Sequence, residues 1–358
     1  MQVSDDILSL LEEKGAQMAK EAQRAVILQP GALGDCILTL PLAKLMREAL
    51  GLGGIDIIGH AEYIGILPER SCINSIRSID STDLHRLFAE PAQFDLADYD
   101  PLINVFSDYA WIITFMGEPN SDFEQNLIFT ANCSRSAEII TLSMKPPDDA
   151  KQHVAEYCTW QLARESGLAP DRARTRPDDV LIQATQADRN RGAEILEQVD
   201  IDTSKRIVVL HPGSGGRHKC WHHENFASVA QALRSADIEP VFLLGPAEME
   251  RFDAPQKARL CETAVCLPRP ALSDVVAVLS CADAFVGNDS GVTHLAAGMG
   301  VRTFALFGPT DPALWRPIGP ALHVLRDPGE RFTREPAPDL QKTLLERLTA
   351  SEDEPATS

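Results

Sequence analysis

No stretch of this 358-residue chain reaches the roughly 18 consecutive apolar residues that a membrane-spanning helix needs. Basic residues are also scarce: 33 Lys and Arg stand against 52 Asp and Glu, for a net charge of −19. Nucleic-acid backbones and anionic lipid surfaces are gripped by clustered Lys and Arg, so both are excluded as broad electrostatic partners. A phosphate-bearing ligand must be held by a local site instead. The opening MQVSDDILSLLEEKGAQMAKEAQRA lacks the basic start and continuous apolar core of a secretion signal. Its spacing of Ile7, Leu8, Leu10, Leu11 and Met18 predicts an amphipathic helical extension over 1–24. None of the eight cysteines forms a C-x-x-C pair, and no His/Cys cluster has zinc spacing. Reduced, packing thiols in a cytoplasmic protein are therefore expected, Cys36 and Cys220 included, with no metal site.

The length favours two domains, and a hydrophobic content of 44% supports globular folding. In the first half, AVILQP (25–30) and IDIIGH (55–60) read as buried strands, and 108–117 has a strand-like centre. Residues 36–50 have helical spacing with a break at Pro41, and 150–167 form a helix ending at Gly167. The proline-rich, charged stretch 169–180 reads as a linker, followed by a helix over 186–198. In the second half, five strands, ending with VRTFALFGP (301–309), alternate with helices of about 10–14 residues. That alternation predicts an α/β chain of two Rossmann-like, doubly wound parallel sheets, which bind ligands at the carboxyl ends of their strands. The expected boundaries are 1–24 for the extension, 25–185 and 186–335 for the two domains, and 336–358 for a helix (338–349) with an acidic, disordered tail.

Three unusual loops fall at strand ends. The first, PGALGD, is a small-residue turn through Gly31 and Gly34 that opens a helix. It lacks G-x-G-x-x-G and G-K-[ST], and the next strand ends at His60 rather than at an acid, so neither a nicotinamide site nor a nucleotide-hydrolysing loop is indicated. Asp35 at the helix start reads either as a cap or as a base aimed at an acceptor hydroxyl. The second loop is HPGSGGRHKCWHHENF. Ser214, the glycine N–H groups and Lys219 suit phosphate oxygens. His222 and His223 are adjacent at a helix start and face different ways, which disfavours metal. The third is VGNDSGVTHLAAGMGVRTFALFGPTDP, in which Asp289 and Ser290 precede Gly291, Thr293 and His294 in the first turn of a helix. Its N–H groups would point at a diphosphate.

ILQPGALGDCILTLPLAKLMRE, VVLHPGSGGRHKCWHHENFASVAQAL and FVGNDSGVTHLAAGMGVRTFALFGPTDPALW together resemble, in order and spacing, glycosyltransferase family 9. This is the heptosyltransferase family of bacterial lipopolysaccharide core assembly. The likeness covers most of 25–60 and nearly all of 206–318. It implies a GT-B fold of two Rossmann-like domains facing a cleft. It also implies inverting, metal-independent transfer from a nucleotide-diphosphate sugar, ADP-heptose, to a hydroxyl of a cell-surface glycan, with no cofactor. Under the resemblance Asp35 is the catalytic base, and Lys219 answers the donor phosphates. Ser214 and Gly215 correspond to the family's small hydroxyl residues, and Glu248 to its acid near the nucleoside. Asp289, Ser290, Gly291 and His294 match the diphosphate- and sugar-binding string. A glycan or glycolipid acceptor, and peripheral contact with the inner face of the cytoplasmic membrane, follow from the family's acceptors alone.

One departure bears on the acceptor. Between Glu48 and Ser134 the only Lys or Arg residues are Arg70, Arg77 and Arg86, against fourteen acids. A multiply phosphorylated acceptor would favour more, so a less charged glycan, a nucleotide-free small sugar or another surface polymer is expected. Two other readings use the same scaffold. A sugar-nucleotide epimerase or hydrolase would need further acids that the sequence does not identify. A non-catalytic sugar-nucleotide binder would have no use for Asp35 beside Lys219 and Asp289.

Overall fold

The computed structural model describes residues 23–147, 151–168, 176, 178–327, 329, 331–334 and 338–349. The expected N-terminal helix lies outside the described residues but for Gln23 and Arg24, as do the tail from residue 350 and most of the 169–180 linker. The chain forms two compact units, Met1–Thr175 and Arg176–Ser358.

The first unit is built on β1 (Arg24–Gln29), β2 (Gly54–Gly59), β3 (Ser75–Ser78), β4 (Tyr109–Thr114) and β5 (Glu138–Thr141). All pair in parallel in the order β3-β2-β1-β4-β5. Ala25, Val26, Ile27 and Leu28 of the central strand are wholly buried, as a strand covered on both faces requires. Val26, Leu28, Ile58, Phe106, Phe123 and Leu127 form the core of one face. At the amino ends Asp56 is buried, accepts two hydrogen bonds from the Arg24 guanidinium at 2.7 Å and one from Tyr109 Oη at 2.8 Å, and so ties β1, β2 and β4 together. The helix read over 36–50 is two helices, Leu33–Leu38 and Leu40–Leu50, meeting at Thr39. Pro41, lacking an N–H, sits in the first turn of the second, where no donor is needed. The helix Val154–Ser166 ends, as expected, at Gly167, whose φ of 70° is the left-handed cap.

The second unit holds β6 (Ile207–His211), β7 (Glu239–Leu244), β8 (Val265–Pro268), β9 (Ala284–Asn288), β10 (Arg302–Phe307) and β11 (Leu322–Arg326). They pair in parallel in the order β11-β10-β9-β6-β7-β8. The sequence reading counts five strands here; β11 is the sixth, and its mostly half-buried edge position gives it no apolar run to read. The helix Pro338–Thr349 inserts Leu344 and Leu348 into a core with Trp221, Phe226, Phe242 and Phe304.

Two further differences appear. The second unit starts upstream of the boundary read at 185, because the N–H groups of Leu181 and Ile182 donate to Gly298 O at 2.8 and 3.0 Å. Cys261 and Cys266 are joined in a disulfide, so not all eight thiols are free; the end of the helix Ala254–Thr263 turns straight into β8 and brings their Cα atoms to 5.5 Å. Among the described residues no helix is long and apolar enough to cross a membrane.

Candidate active site

In each sheet the strand order reverses at one place: between β1 and β4 in the first unit, and between β6 and β9 in the second. Open parallel sheets bind ligands beyond the carboxyl ends of the strands at such a point. Two of the unusual loops, at 212–222 and 289–290, leave β6 and β9 side by side, and the third leaves β1.

In the second unit Asn288, wholly buried at the end of β9, joins the two loops. Its Nδ2 donates to Pro212 O at 2.8 Å, and its Oδ1 accepts from the Trp221 N–H at 2.8 Å. Ser214 Oγ donates to Asp289 O at 2.6 Å. The Asp289 carboxylate, itself buried, accepts from Lys219 Nζ at 2.7 Å through Oδ2 and has His294 Nε2 at 3.9 Å from Oδ1. Ser290 is extended and caps the helix Gly291–Gly298 by accepting from the Thr293 N–H. The structure therefore brings Ser214, Lys219, Asp289, Ser290, Gly291, Thr293 and His294 to one helix N-terminus, where oriented N–H groups favour an anion. Ser214 is spent on the backbone of Asp289, and in this state Lys219 on its carboxylate.

Glu248 lies in the first turn of the helix Pro246–Arg251 that follows β7. Its carboxylate is only 3% exposed and faces inwards, accepting from Gly245 N at 2.6 Å and lying 3.7 Å from His211 Nε2. Burial alone would raise its pKa, but the His211 contact and the backbone N–H groups bring it below the usual carboxylate value. It also lies where any side chain at position 213 would be, since a Cβ on Gly213 would sit 1.4 Å from Glu248 Oε1. Gly215 contributes its carbonyl, which accepts from Arg251 Nη2 at 2.7 Å, while Nη1 reaches Ser214 O at 2.7 Å.

In the first unit Asp35 occupies the third position of its helix, where its Oδ2 accepts from the Ala32 N–H at 3.0 Å. This is cap geometry, and it also fixes the carboxylate's direction. Gly31 lies under it: a Cβ there would be 2.6 Å from both Asp35 Cβ and Oδ2. The turn is held from below by Gln29, 1% exposed, whose Oε1 accepts from Gly31 N at 2.9 Å and whose Nε2 donates to Thr39 Oγ1 at 2.7 Å. Thr39 Oγ1 in turn donates to Asp35 O at 2.8 Å. Gly34 lies in the first helical turn. Burial pushes the Cys36 thiol up to about 12 and the Cys220 thiol to about 11, so neither offers a thiolate near neutral pH. Among the described residues no group of three or more His, Cys, Asp or Glu side chains could hold a metal ion.

A family model described as glycosyltransferase family 9 (heptosyltransferase) matches residues 134–343, more than half of the chain. Lipopolysaccharide heptosyltransferase 3 of Escherichia coli is 33% identical over 305 residues, covering 79% of this chain and 83% of that one. The chain belongs to glycosyltransferase family 9. Lipopolysaccharide heptosyltransferase 1 of Pseudomonas aeruginosa is 47% identical over 121 residues, 34% of each chain. Among solved structures, E. coli ADP-heptose lps heptosyltransferase II aligns at a TM-score of 0.65 and 17% identity over 92% of this chain and 100% of that one. E. coli heptosyltransferase WaaC with ADP aligns at 0.62 and 20% identity, over 92% and 100%. These structures share the fold of two Rossmann-like, GT-B domains, and the chain is a glycosyltransferase.

Three residues of this glycosyltransferase's site escape sequence reasoning as functional candidates. Asn288 and His211 are visible only as strand ends, and their partners lie 37 to 79 positions away. Arg251 carries no local signal, since what it holds is the backbone of a loop 36 or 37 residues earlier.

Proposed function

We propose that this glycosyltransferase moves heptose from ADP-heptose to a hydroxyl of a lipopolysaccharide core sugar, with inversion and without a metal. The observation that carries the reading is the Lys219–Asp289–His294 group at the start of the helix Gly291–Gly298. It lies at the strand-order reversal of the second unit and inside the span matched by the family model. Support for the donor comes from relatives named as lipopolysaccharide heptosyltransferases and from the solved fold neighbour that holds ADP.

In this reading the Asp35 carboxylate takes the proton of the acceptor hydroxyl as that oxygen attacks the anomeric carbon from the face opposite the diphosphate. The new C–O bond forms as the C–O bond to the diphosphate breaks, which inverts the centre. Negative charge grows on the departing ADP and is met by Lys219 and by the N–H groups of the helix start, preorganised groups of the kind that stabilise a leaving anion. Asp289 holds Lys219 and His294 towards the same place until the donor arrives. A base of this kind is worth about 10²–10⁴-fold. The acceptor is a sugar with few phosphates: of the three arginines between Glu48 and Ser134, Arg86 is already bound to Asp100 by two hydrogen bonds. The reaction would take place on the cytoplasmic side of the membrane.

The test is calorimetric titration with ADP, UDP and GDP, with and without EDTA, followed by turnover of ADP-heptose on a core-oligosaccharide acceptor. Tight, EDTA-insensitive ADP binding and a single inverted product are expected, with Asp35→Asn abolishing transfer but not ADP binding. A preference for UDP or GDP, or unchanged turnover in Asp35→Asn, would overturn the donor or the base respectively.

A further inference from the structure

β5 is the edge strand of the first unit, and along it lies a groove of about 620 Å³, within the size range of small-molecule sites. The helices Asp122–Asn132 and Val154–Ser166 both contribute to its walls. Trp111 of β4 and Glu138 of β5 are register partners, so the half-buried indole and the exposed carboxylate stand on the same face of the sheet. Glu124 is held firmly: its Oε1 accepts from Thr141 Oγ1 at 2.5 Å and its Oε2 from the Asn120 N–H at 2.7 Å. Buried Gln161 takes the place of a neighbouring strand beside Ser143, accepting from its N–H at 3.1 Å and donating to its carbonyl at 2.8 Å. An added peptide strand would therefore find only a four-residue ladder. Among the described residues Glu124, Glu138 and Glu165 line the groove, and its guanidinium, Arg164, is bound to Glu165 at 2.6 Å, so a phosphate is poorly answered there. A sugar ring without phosphates fits, with its C–H face on the indole and its hydroxyls donating to the carboxylates. The groove also lies close to Asp35. Just beyond it Met144 Sδ accepts from Gln29 Nε2 at 3.2 Å, and Gln29 holds the turn beneath that carboxylate. On the helix that carries Gln161, burial and then the Asp35 charge push the Cys158 thiol up to about 12.

We propose that the groove beside β5 is a second sugar subsite, in which Trp111, Glu138 and Glu124 hold an unphosphorylated sugar of the acceptor glycan while another sugar of the same glycan presents its hydroxyl to Asp35. The inference rests on the transfer reading above and adds to it that the acceptor is an oligosaccharide, recognised beyond the sugar that reacts. β5 lies two strands from β1, roughly 10 Å, which is the reach of a short oligosaccharide.

Transfer kinetics of the full chain with two acceptors read the subsite: a dephosphorylated lipopolysaccharide-core oligosaccharide, and the methyl glycoside of its accepting sugar alone. The wild-type chain should have a KM about tenfold lower for the oligosaccharide. Trp111→Ala should erase that advantage, raising the oligosaccharide KM about tenfold while the KM for the single sugar and the ADP affinity stay within about twofold. A merely structural role would move all of these together. Glu138→Ala, at an exposed position that leaves the core intact, should raise the oligosaccharide KM about threefold. Ligand-observed NMR without donor should show the oligosaccharide bound by the wild-type chain and bound more weakly by both variants. Equal KM values for the two acceptors in the wild-type chain, or an oligosaccharide KM unchanged in Glu138→Ala, would overturn the proposal. If neither acceptor is turned over, the transfer reading fails and NMR still decides the groove: binding that weakens in Glu138→Ala upholds it as a glycan site, and no binding overturns it.

Discussion

Replacing Gly31 by alanine tests whether the small-residue turn exists to aim Asp35. The added Cβ would lie 2.6 Å from Asp35 Cβ and Oδ2 and 2.9 Å from Cγ. Asp35 Cβ is fixed to the helix backbone, so swinging the carboxylate aside does not relieve the whole clash, and the turn itself must move. That movement strains or breaks the 3.0 Å bond from Ala32 N–H to Oδ2. Losing a cap costs about 0.5–2 kcal/mol, and overpacking about 1–3 kcal/mol, so a stability loss on the order of 1–3 kcal/mol is expected. The effect on rate should be larger. Misplacing a reacting group by about 1 Å costs roughly 10²-fold, while losing the base altogether costs about 10²–10⁴-fold. The assay is kcat with both substrates saturating, beside urea unfolding of each variant, for Gly31→Ala, Asp35→Asn and the double variant. If Gly31 acts through Asp35, adding Gly31→Ala to Asp35→Asn should slow turnover little further, because effects of residues that act as a unit are not additive. A kcat within twofold of wild type in Gly31→Ala would refute the reasoning, as would two rate losses that simply multiply.

Lys219→Ala should weaken ADP binding about tenfold or more, since it removes a charge-assisted contact to phosphate; calorimetry showing a Kd within twofold of wild type would remove Lys219 from the donor site. Asn288→Ala should destabilise the chain by about 2–4 kcal/mol in urea unfolding, because it strands the Trp221 N–H and the Pro212 carbonyl in a buried place; a loss below about 0.5 kcal/mol would contradict the joining role. The hydrogen bonds from Arg86, with the Leu102 N–H and the Arg86 charge beside them, hold the Asp100 carboxyl down at about 2. Because the folded value is depressed, the stability Asp100 contributes is complete above the unfolded value of about 3.9 and is lost as pH falls from there through about 2. Asp100→Asn should flatten that acid limb in unfolding measurements, and an unchanged limb would refute the coupling.

Much of this architecture is legible in local chemistry. The helix Gln186–Gln198 has its bounds written in the chain: Thr185 caps it, and Asp188 three positions on returns the bond to the Thr185 N–H. The buried central strands read as unbroken apolar runs because both of their faces are covered. Edge strands do not. β3 is the four polar-flanked residues SIRS and β5 the four residues EIIT, each paired on one side only, and neither carries a period long enough to see. The same contrast holds in the site. Asp35, Ser214, Lys219 and Asp289 sit in glycine-rich loops whose composition announces them, whereas His211 and Arg251 work through partners that only the sheet order brings near. Glu248 enters through the family resemblance alone, and its approach to His211, 37 residues earlier, has no local signal.

The two N–H groups of Leu181 and Ile182 that donate to Gly298 O have a practical meaning for dissecting the protein. The second unit expressed alone, and cut at the obvious helix start near Thr185, would lose both donors to the carbonyl that closes the helix Gly291–Gly298, along with the wholly buried side chain of Ile182. The cut would fall on the segment that secures the far end of that helix. A fragment meant to report nucleotide binding should begin upstream of Val180, so that the short extended strap before the helix Gln186–Gln198 travels with the domain it fastens.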